Sequence, residues 1–256
     1  MSGVRLSPPP SHVTYSKGAN SAFCVSIDFD AITQDREKPN KEGTIQLLGL
    51  SEKYSIPMTW AICGQTVERD SKSYDRIRRS KEPQEIGIHT YSHADVSACA
   101  PNKFREEIDR CLRVLDLPYR PKSFVFPWNR LGNFEVLLNA GFIAYRARNR
   151  MISPPVFGEE RLWNIAPTYH ADRKTFHSLA KIKKLVRIAI ENNSIFHLWL
   201  HPWDMIPDSQ SPQQDIAATV IEPLFKYVYS IRAGDSDALE FSTMGDLAIC
   251  FQKQIV

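Results

Sequence analysis

Phe23-Cys24-Val25-Ser26-Ile27-Asp28-Phe29-Asp30 alternates bulky apolar side chains with small or acidic ones. A period of two marks a β-strand, so Phe23, Val25, Ile27 and Phe29 share one face and Cys24, Ser26, Asp28 and Asp30 share the other. The stretch thus ends with two carboxylates on the same side. From there the chain keeps alternating strand-like and helix-like segments. A helical stretch at 47–54 leads to a strand at 57–63. A short strand at 84–89 leads to an amphipathic helix at 102–116, with Phe104, Ile108, Cys111 and Leu115 on one stripe. A strand at 123–127, a helix at 134–140 stopped by Gly141, and a strand at 142–148 follow. The second half reads as strand 162–167, helix 173–191, strand 194–201, helix 216–231 and strand 239–242.

Seven or eight such units predict an α/β chain folded as a distorted (β/α)7-8 barrel in a single domain. A doubly wound open sheet is the alternative, but no glycine fingerprint follows any strand. Residues 1–20, with Pro8-Pro9-Pro10, read as a flexible N-terminal arm, and 21–256 as the barrel. The chain has 256 residues, 43% of them hydrophobic and 24% charged, which is ordinary for a globular protein. A net charge of +3 with scattered Lys and Arg gives no nucleic-acid footprint. Five widely spaced cysteines without a C-x-x-C pair indicate neither a zinc ribbon nor a disulfide framework. No signal-like or membrane-spanning apolar run is visible, so a cytoplasmic location and no transmembrane segment are expected.

The candidates for chemistry fall at the carboxyl ends of the expected strands, where barrel active sites lie. In His89-Thr90-Tyr91-Ser92-His93 the two imidazoles are four residues apart and can meet on one face of a helical turn. With Asp30 they make a three-ligand site that leaves room for water, and Asp28 remains as a base. In Phe196-His197-Leu198-Trp199-Leu200-His201, alternation turns Phe196, Leu198 and Leu200 toward the helices and His197, Trp199 and His201 inward. His201, at the strand end, suits a general acid. His197, one layer deeper, suits a structural partner.

These motifs resemble those of the polysaccharide deacetylase family of carbohydrate esterases, from about Phe23 to His201. The family's H-[ST]-x-x-H motif is met by His89, Thr90 and His93, and its L-x-x-H motif by Leu198 and His201. Leu47-Leu48 through Ile56-Pro57-Met58-Thr59-Trp60 and Gly64 is similar to a further family stretch. The resemblance implies a distorted barrel, a divalent metal, expected to be zinc, and hydrolysis of an N-acyl group on an amino sugar. It also implies sugar contacts from Trp128, Asn129, Leu198, Trp199 and Trp203, and an oxyanion held in part by the Trp128 N–H. Acetyl and formyl both remain open, as does the carrier: a surface glycan or its nucleotide- or lipid-linked precursor. An allantoinase-like amidohydrolase and a silent glycan-binding homologue are the other classes.

The chain departs from the family in two places. Phe29 separates the two acids, which the family usually has adjacent. Phe124-Val125-Phe126-Pro127-Trp128-Asn129 stands where R-x-P-x-G is expected, with Val125 in the arginine position. The family arginine holds the catalytic aspartate, so a substitute is needed. The phase of strand 142–148 turns Arg146 and Arg148 inward, and one of them, with Arg148 preferred, is expected beside Asp28; a surface arginine past the strand end is the alternative.

Overall fold

The computed structural model describes residues 15, 18–30, 33–146, 152–207 and 215–254. The opening alternation becomes β1 (Ala22–Phe29), buried along its whole length. In chain order follow α1 (Gln34–Tyr54), β2 (Thr59–Ile62), α2 (Gly64–Arg69), α3 (Ser71–Arg78), β3 (Glu85–Ile88), α4 (Pro101–Leu115), β4 (Ser123–Val125), α5 (Phe134–Asn139) and β5 (Ala144–Arg146). Then come β6 (Val156–Phe157), β7 (Trp163–Asn164), β8 (Tyr169–His170), α6 (Leu179–Glu191), β9 (Ile195–Leu200), α7 (Glu222–Gly234), β10 (Glu240–Phe241) and α8 (Met244–Gln252).

The strands form one sheet in the order β6-β7-β5-β4-β3-β2-β1-β9-β8, with β10 beside the start of β1. Every pairing is parallel except β6 with β7. A Ser153–Ile195 bridge returns the chain ahead of β6 to β9. The result is the distorted α/β barrel that the alternation predicts, a curled sheet whose β/α rhythm lapses between β5 and α6.

The period of two sorts the side chains into two cores. Phe23, Val25, Ile27 and Phe29 of β1 join Trp60, Ile88, Phe124, Leu198 and Leu200 under the helices. The opposite face carries Cys24, Ala61, Val125 and Ala144, which pack with Met244, Leu247, Ala248 and Phe251 of α8. Small inward residues thus leave room for α8 to fill the amino end of the barrel. The Thr59 hydroxyl accepts from the Met244 N–H (2.9 Å), and Glu85 accepts from the Gly245 N–H (2.9 Å), which anchors that helix. With the amino end filled, the free space lies at the carboxyl ends of the strands.

Several boundaries differ from the sequence reading for local reasons. α1 begins at Gln34, well before 47, and runs through Pro39, whose missing N–H costs it one helical hydrogen bond. α6 begins at Leu179, capped by the Ser178 hydroxyl, and not at 173. The residues ahead of it are held in a turn: the Tyr169 hydroxyl donates to His177 Nδ1 (2.8 Å) and His177 Nε2 donates to the Asp172 carbonyl (2.6 Å). Gly141 ends α5 at φ +84°, as expected. Most of the expected arm, 1–14 and 16–17, lies outside the described residues; Tyr15 is buried and its hydroxyl donates to the Asn193 carbonyl (3.1 Å). No helix among the described residues is long and apolar enough to cross a membrane.

Candidate active site

Asp28, at the end of β1, and Asp30, just beyond it, open into a cleft of about 1140 Å³. His89, His93, Trp128, Asn129, Trp199, His201 and Trp203 line the same cleft. Asp30 Oδ2 lies 3.0 Å from His93 Nε2 and 3.8 Å from His89 Nε2. One ligand atom from each of the three residues falls within 4.8 Å of the others. The pair does not sit on a helical turn, as the spacing suggested. Residues 89–100 form an irregular loop, and Thr90 (φ +63°) and His93 (φ +58°) fold back in left-handed conformations that bring the rings to 4.8 Å.

The trio fits a divalent ion on its own evidence. Asp30 Oδ1 is buried without a hydrogen-bond partner among the described residues, a costly state that a cation relieves. His89 Nδ1 donates to the Val125 carbonyl (2.7 Å), which fixes the tautomer and leaves Nε2 as a lone pair facing Asp30. Burial pushes His89 down to about 4, against the pull of Asp28, so the ring is neutral, the form that can ligate a cation. Burial acts to raise Asp30, but the His93 hydrogen bond and the surrounding imidazoles hold it below the ordinary carboxylate value.

Asp28 is the other acid, and it is not left alone. Arg146 is fully buried and grips it with both terminal nitrogens, Nη1 to Oδ1 at 2.7 Å and Nη2 to Oδ2 at 2.6 Å. The Trp199 indole N–H adds a third donor at 2.8 Å. Burial opposes the negative charge, yet Arg146 first, then His89 and His201, hold the carboxyl well below its usual range. Val125 and Arg146 are direct partners across β4 and β5. The guanidinium therefore enters from the neighbouring strand at the level where the family motif carries its arginine. Arg148 lies outside the described residues.

Beneath this pair a chain of hydrogen bonds sets the polarity. His197 Nδ1 donates to the Ile165 carbonyl (3.0 Å), so Nε2 accepts from the Ser26 hydroxyl (2.8 Å), and Ser26 accepts from Arg146 Nη1 (2.9 Å). Burial, with Arg146 close by, pushes His197 down to about 3 and keeps it neutral. His197 thus orients Arg146 from below and does not line the cleft.

His201 stands across from Asp28, Nε2 to Oδ2 4.0 Å. Its Nδ1 donates to Asp204 Oδ2 (3.0 Å), and the same oxygen accepts the His201 backbone N–H (3.0 Å). Burial lowers the imidazole, but the Asp204 hydrogen bond and the charges of Asp30, Asp204 and Asp28 outweigh it and push His201 up to about 8. Trp203 stacks under the ring at 4.3 Å and Arg36 covers the indole at 4.6 Å. The turn that carries this group is fixed by a close approach: a Cβ at Gly43 of α1 would overlap the Pro202 carbonyl.

If His201 acts as an acid, its activity needs the protonated ring, so turnover should fall as pH rises through about 8. Asp204→Asn removes an opposite charge and should move this alkaline limb down by about one unit or more. A pH-rate profile of the two proteins reads the shift.

Leu198 is fully buried on the helix-facing side of β9, in phase with Phe196 and Leu200, and so lies behind the cleft. Trp199 lines the cleft but is engaged by Asp28, by Arg146 at 4.4 Å over its ring, and by His170 stacked at 3.9 Å. Trp128 is the exposed aromatic, 61% accessible, beside His93. Sequence reasoning missed Asp204 and His170. His201-Pro202-Trp203-Asp204 could have signalled the first, because an acid three residues after a strand end, behind a proline, suits a capping turn. His170 sits on a two-residue strand with no readable period.

Residues 17–133 match the family model described as polysaccharide deacetylase. Over 104 residues the chain is 31% identical to the peptidoglycan deacetylase of Helicobacter pylori, a match covering 39% of this chain and 35% of that protein. The aligned part thus spans about a third of that relative's length. Among solved structures, a Mycobacterium smegmatis chain provisionally named a polysaccharide deacetylase superimposes with a TM-score of 0.72 at 15% identity, over 98% of this chain and 96% of that one. Puue allantoinase superimposes with a TM-score of 0.68 at 13% identity, over 96% and 95%. At these identities the two structures speak to the fold.

Proposed function

We propose that the chain, whose residues 17–133 match the polysaccharide deacetylase family model, hydrolyses an acetyl or formyl group from the nitrogen of an amino sugar, with a divalent metal held by Asp30, His89 and His93. The observation that carries this reading is the convergence of three groups on one cleft. A metal-ligand trio sits beside an ionised Asp28 clamped by Arg146, with a His201–Asp204 pair opposite.

A divalent ion there, zinc in this proposal, would supply Lewis acidity, sharpening the acidity of water and polarising the acyl carbonyl. Asp28 takes up the proton of the attacking water. Its charge is held by Arg146, and its Oδ2 lies 4.0 Å from His201 Nε2, so proton acceptor and proton donor meet in the same part of the cleft. His201 Nε2 then passes a proton to the departing amine, while Asp204 steadies the imidazolium. The Trp128 backbone N–H is the proposed donor to the oxyanion. Trp128 and Trp203 offer faces to the sugar ring, and Asn129 Oδ1, buried without a partner among the described residues, is an acceptor for a substrate N–H or O–H.

Arg36, Arg173 and Lys174 line the cleft alongside Asp35 and Asp172. In this proposal those three cations would meet the phosphate of a nucleotide- or lipid-linked precursor of a surface glycan, although the lining as a whole carries five aspartates, Asp28, Asp30, Asp35, Asp172 and Asp204. The five unpaired cysteines agree with a reducing, cytoplasmic setting.

The test is release of acetate or formate from N-acetyl and N-formyl amino sugars, free and phosphate-linked, with a cyclic amide in the same panel because the fold is shared with an allantoinase. Turnover of the sugars above the cyclic amide is the expected result, and turnover of the cyclic amide alone would overturn the reading. Asp28→Asn should keep its metal and lose about 10²-fold or more in turnover, the scale of a lost general base. Loss of the metal in that variant would instead make Asp28 a ligand.

A further inference from the structure

His170 lines the cleft but has no task in the chemistry above. Its ring lies on Trp199, centroids 3.9 Å apart and planes 15° from parallel, so its direction is set. Its Nε2 is buried and has no hydrogen-bond partner among the described residues. A buried polar atom in that state calls for something to meet it. One ligand atom of His170, one of His201 and one carboxylate oxygen of Asp204 lie within 4.8 Å of one another. With bonds of ~2 Å, ligand atoms on a tetrahedral zinc stand about 3.3 Å apart, so side-chain shifts of at most about 1.5 Å would close the set.

We infer that His170, His201 and Asp204 form a second divalent-metal site, suited to zinc, and that filling it silences His201 as a proton donor. Two imidazole nitrogens and one carboxylate oxygen are a zinc-like donor set, with a position left for water. Asp204 keeps Oδ1 on the Arg173 N–H (3.2 Å), which orients the carboxylate, and its Oδ2 already faces the ring. Binding exchanges a proton on the ligating nitrogen of His201, released to solvent, for the metal. An imidazole bound in this way has no labile proton near neutral pH, whichever nitrogen it uses. The first equivalent of metal would therefore support turnover and the second would suppress it. The inhibitory consequence rests on the role proposed for His201; the binding itself does not.

The experiment is a zinc titration of the whole chelator-stripped protein, followed by calorimetry and by metal content after dialysis. Wild type should bind two equivalents, with the first raising acetate or formate release and the second lowering it. His170→Asn should bind one, and its activity should not fall in excess zinc. Asp204→Asn should also lose the second equivalent, an independent reading should His170→Asn not fold. His89→Ala should keep one equivalent, which the added His170→Asn change removes. A wild type that binds a single equivalent, or a His170→Asn protein that binds two, overturns the site. Because metal is counted without substrate, an inactive protein showing this pattern would contradict the proposed hydrolysis and leave the second site standing.

Discussion

Replacing Arg146 with methionine should remove most of the turnover and about 3–5 kcal/mol of stability, the cost of stranding one partner of a buried ion pair. Asp28 is almost wholly buried and carries its charge chiefly because Arg146 grips both oxygens at 2.6 and 2.7 Å, with His89 and His201 adding to the effect. Without the guanidinium, burial acts unopposed on that side and the carboxyl pKa rises. The acid limb of the pH-rate profile should then move to higher pH while metal content stays at the wild-type level. The sign for stability follows from the same pair. A carboxyl held below its unfolded value stabilises the fold at neutral pH, and the benefit fades as pH falls below the ordinary 3.8 toward the folded value. The gap between wild type and Arg146→Met should accordingly be widest near neutrality and shrink in acid, as read by denaturant unfolding. Because Val125 faces Arg146 across β4 and β5, placing arginine at 125 in an Arg146→Val background should recover part of the lost activity. A stability loss under about 1 kcal/mol at pH 7, a typical net value for an exposed ion pair, would contradict the account.

His89→Ala should abolish both tight metal binding at the Asp30 trio and turnover. His89 is the best supported of the three ligands: its tautomer is set by the Val125 carbonyl and its Nε2 faces Asp30. Removing it leaves Asp30 beyond β1 and His93 on the 89–100 loop, and it also releases the bond that ties that loop to β4. His89→Gln keeps a polar side chain but cannot reproduce the Nδ1–Nε2 geometry, so it should fail likewise. Thermal unfolding of both variants separates loss of metal from loss of fold. Retained turnover in either would remove the trio from the mechanism.

How much of this was legible in the sequence depended on periodicity. β1, β9 and α4 are long and regularly patterned, so their faces, and with them the inward direction of Asp28, Trp199 and His201, could be read directly. The inward phase of Arg146 followed in the same way from Ala144 and Tyr145. Where elements are two residues long, as from β6 to β8, there is no period to read, and His170 stayed hidden. The 89–100 loop defeated the helical reading of the histidine pair because its direction depends on left-handed Thr90 and His93, a choice imposed by the tertiary setting. α8 was missed although Met244, Leu247, Ala248 and Phe251 recur at helical spacing; what the spacing does not tell is that this face packs on the small inward residues of β1, β2 and β4. Asp204 was given no role, since its partnership with His201 depends on the turn that Gly43 allows α1 to support.

In the proposed function, Asp30, His89 and His93 hold an ion without which Asp28 and His201 cannot cleave an N-acyl bond. Release of acetate or formate from an N-acyl amino sugar, followed as zinc is added back to chelator-stripped protein, tests it most directly. Stripped wild type should be inactive and should regain activity in proportion to zinc up to one equivalent, while His89→Ala and Asp30→Asn stay inactive over the same range. Release that survives stripping, or a His89→Ala protein that regains activity as wild type does, would contradict it.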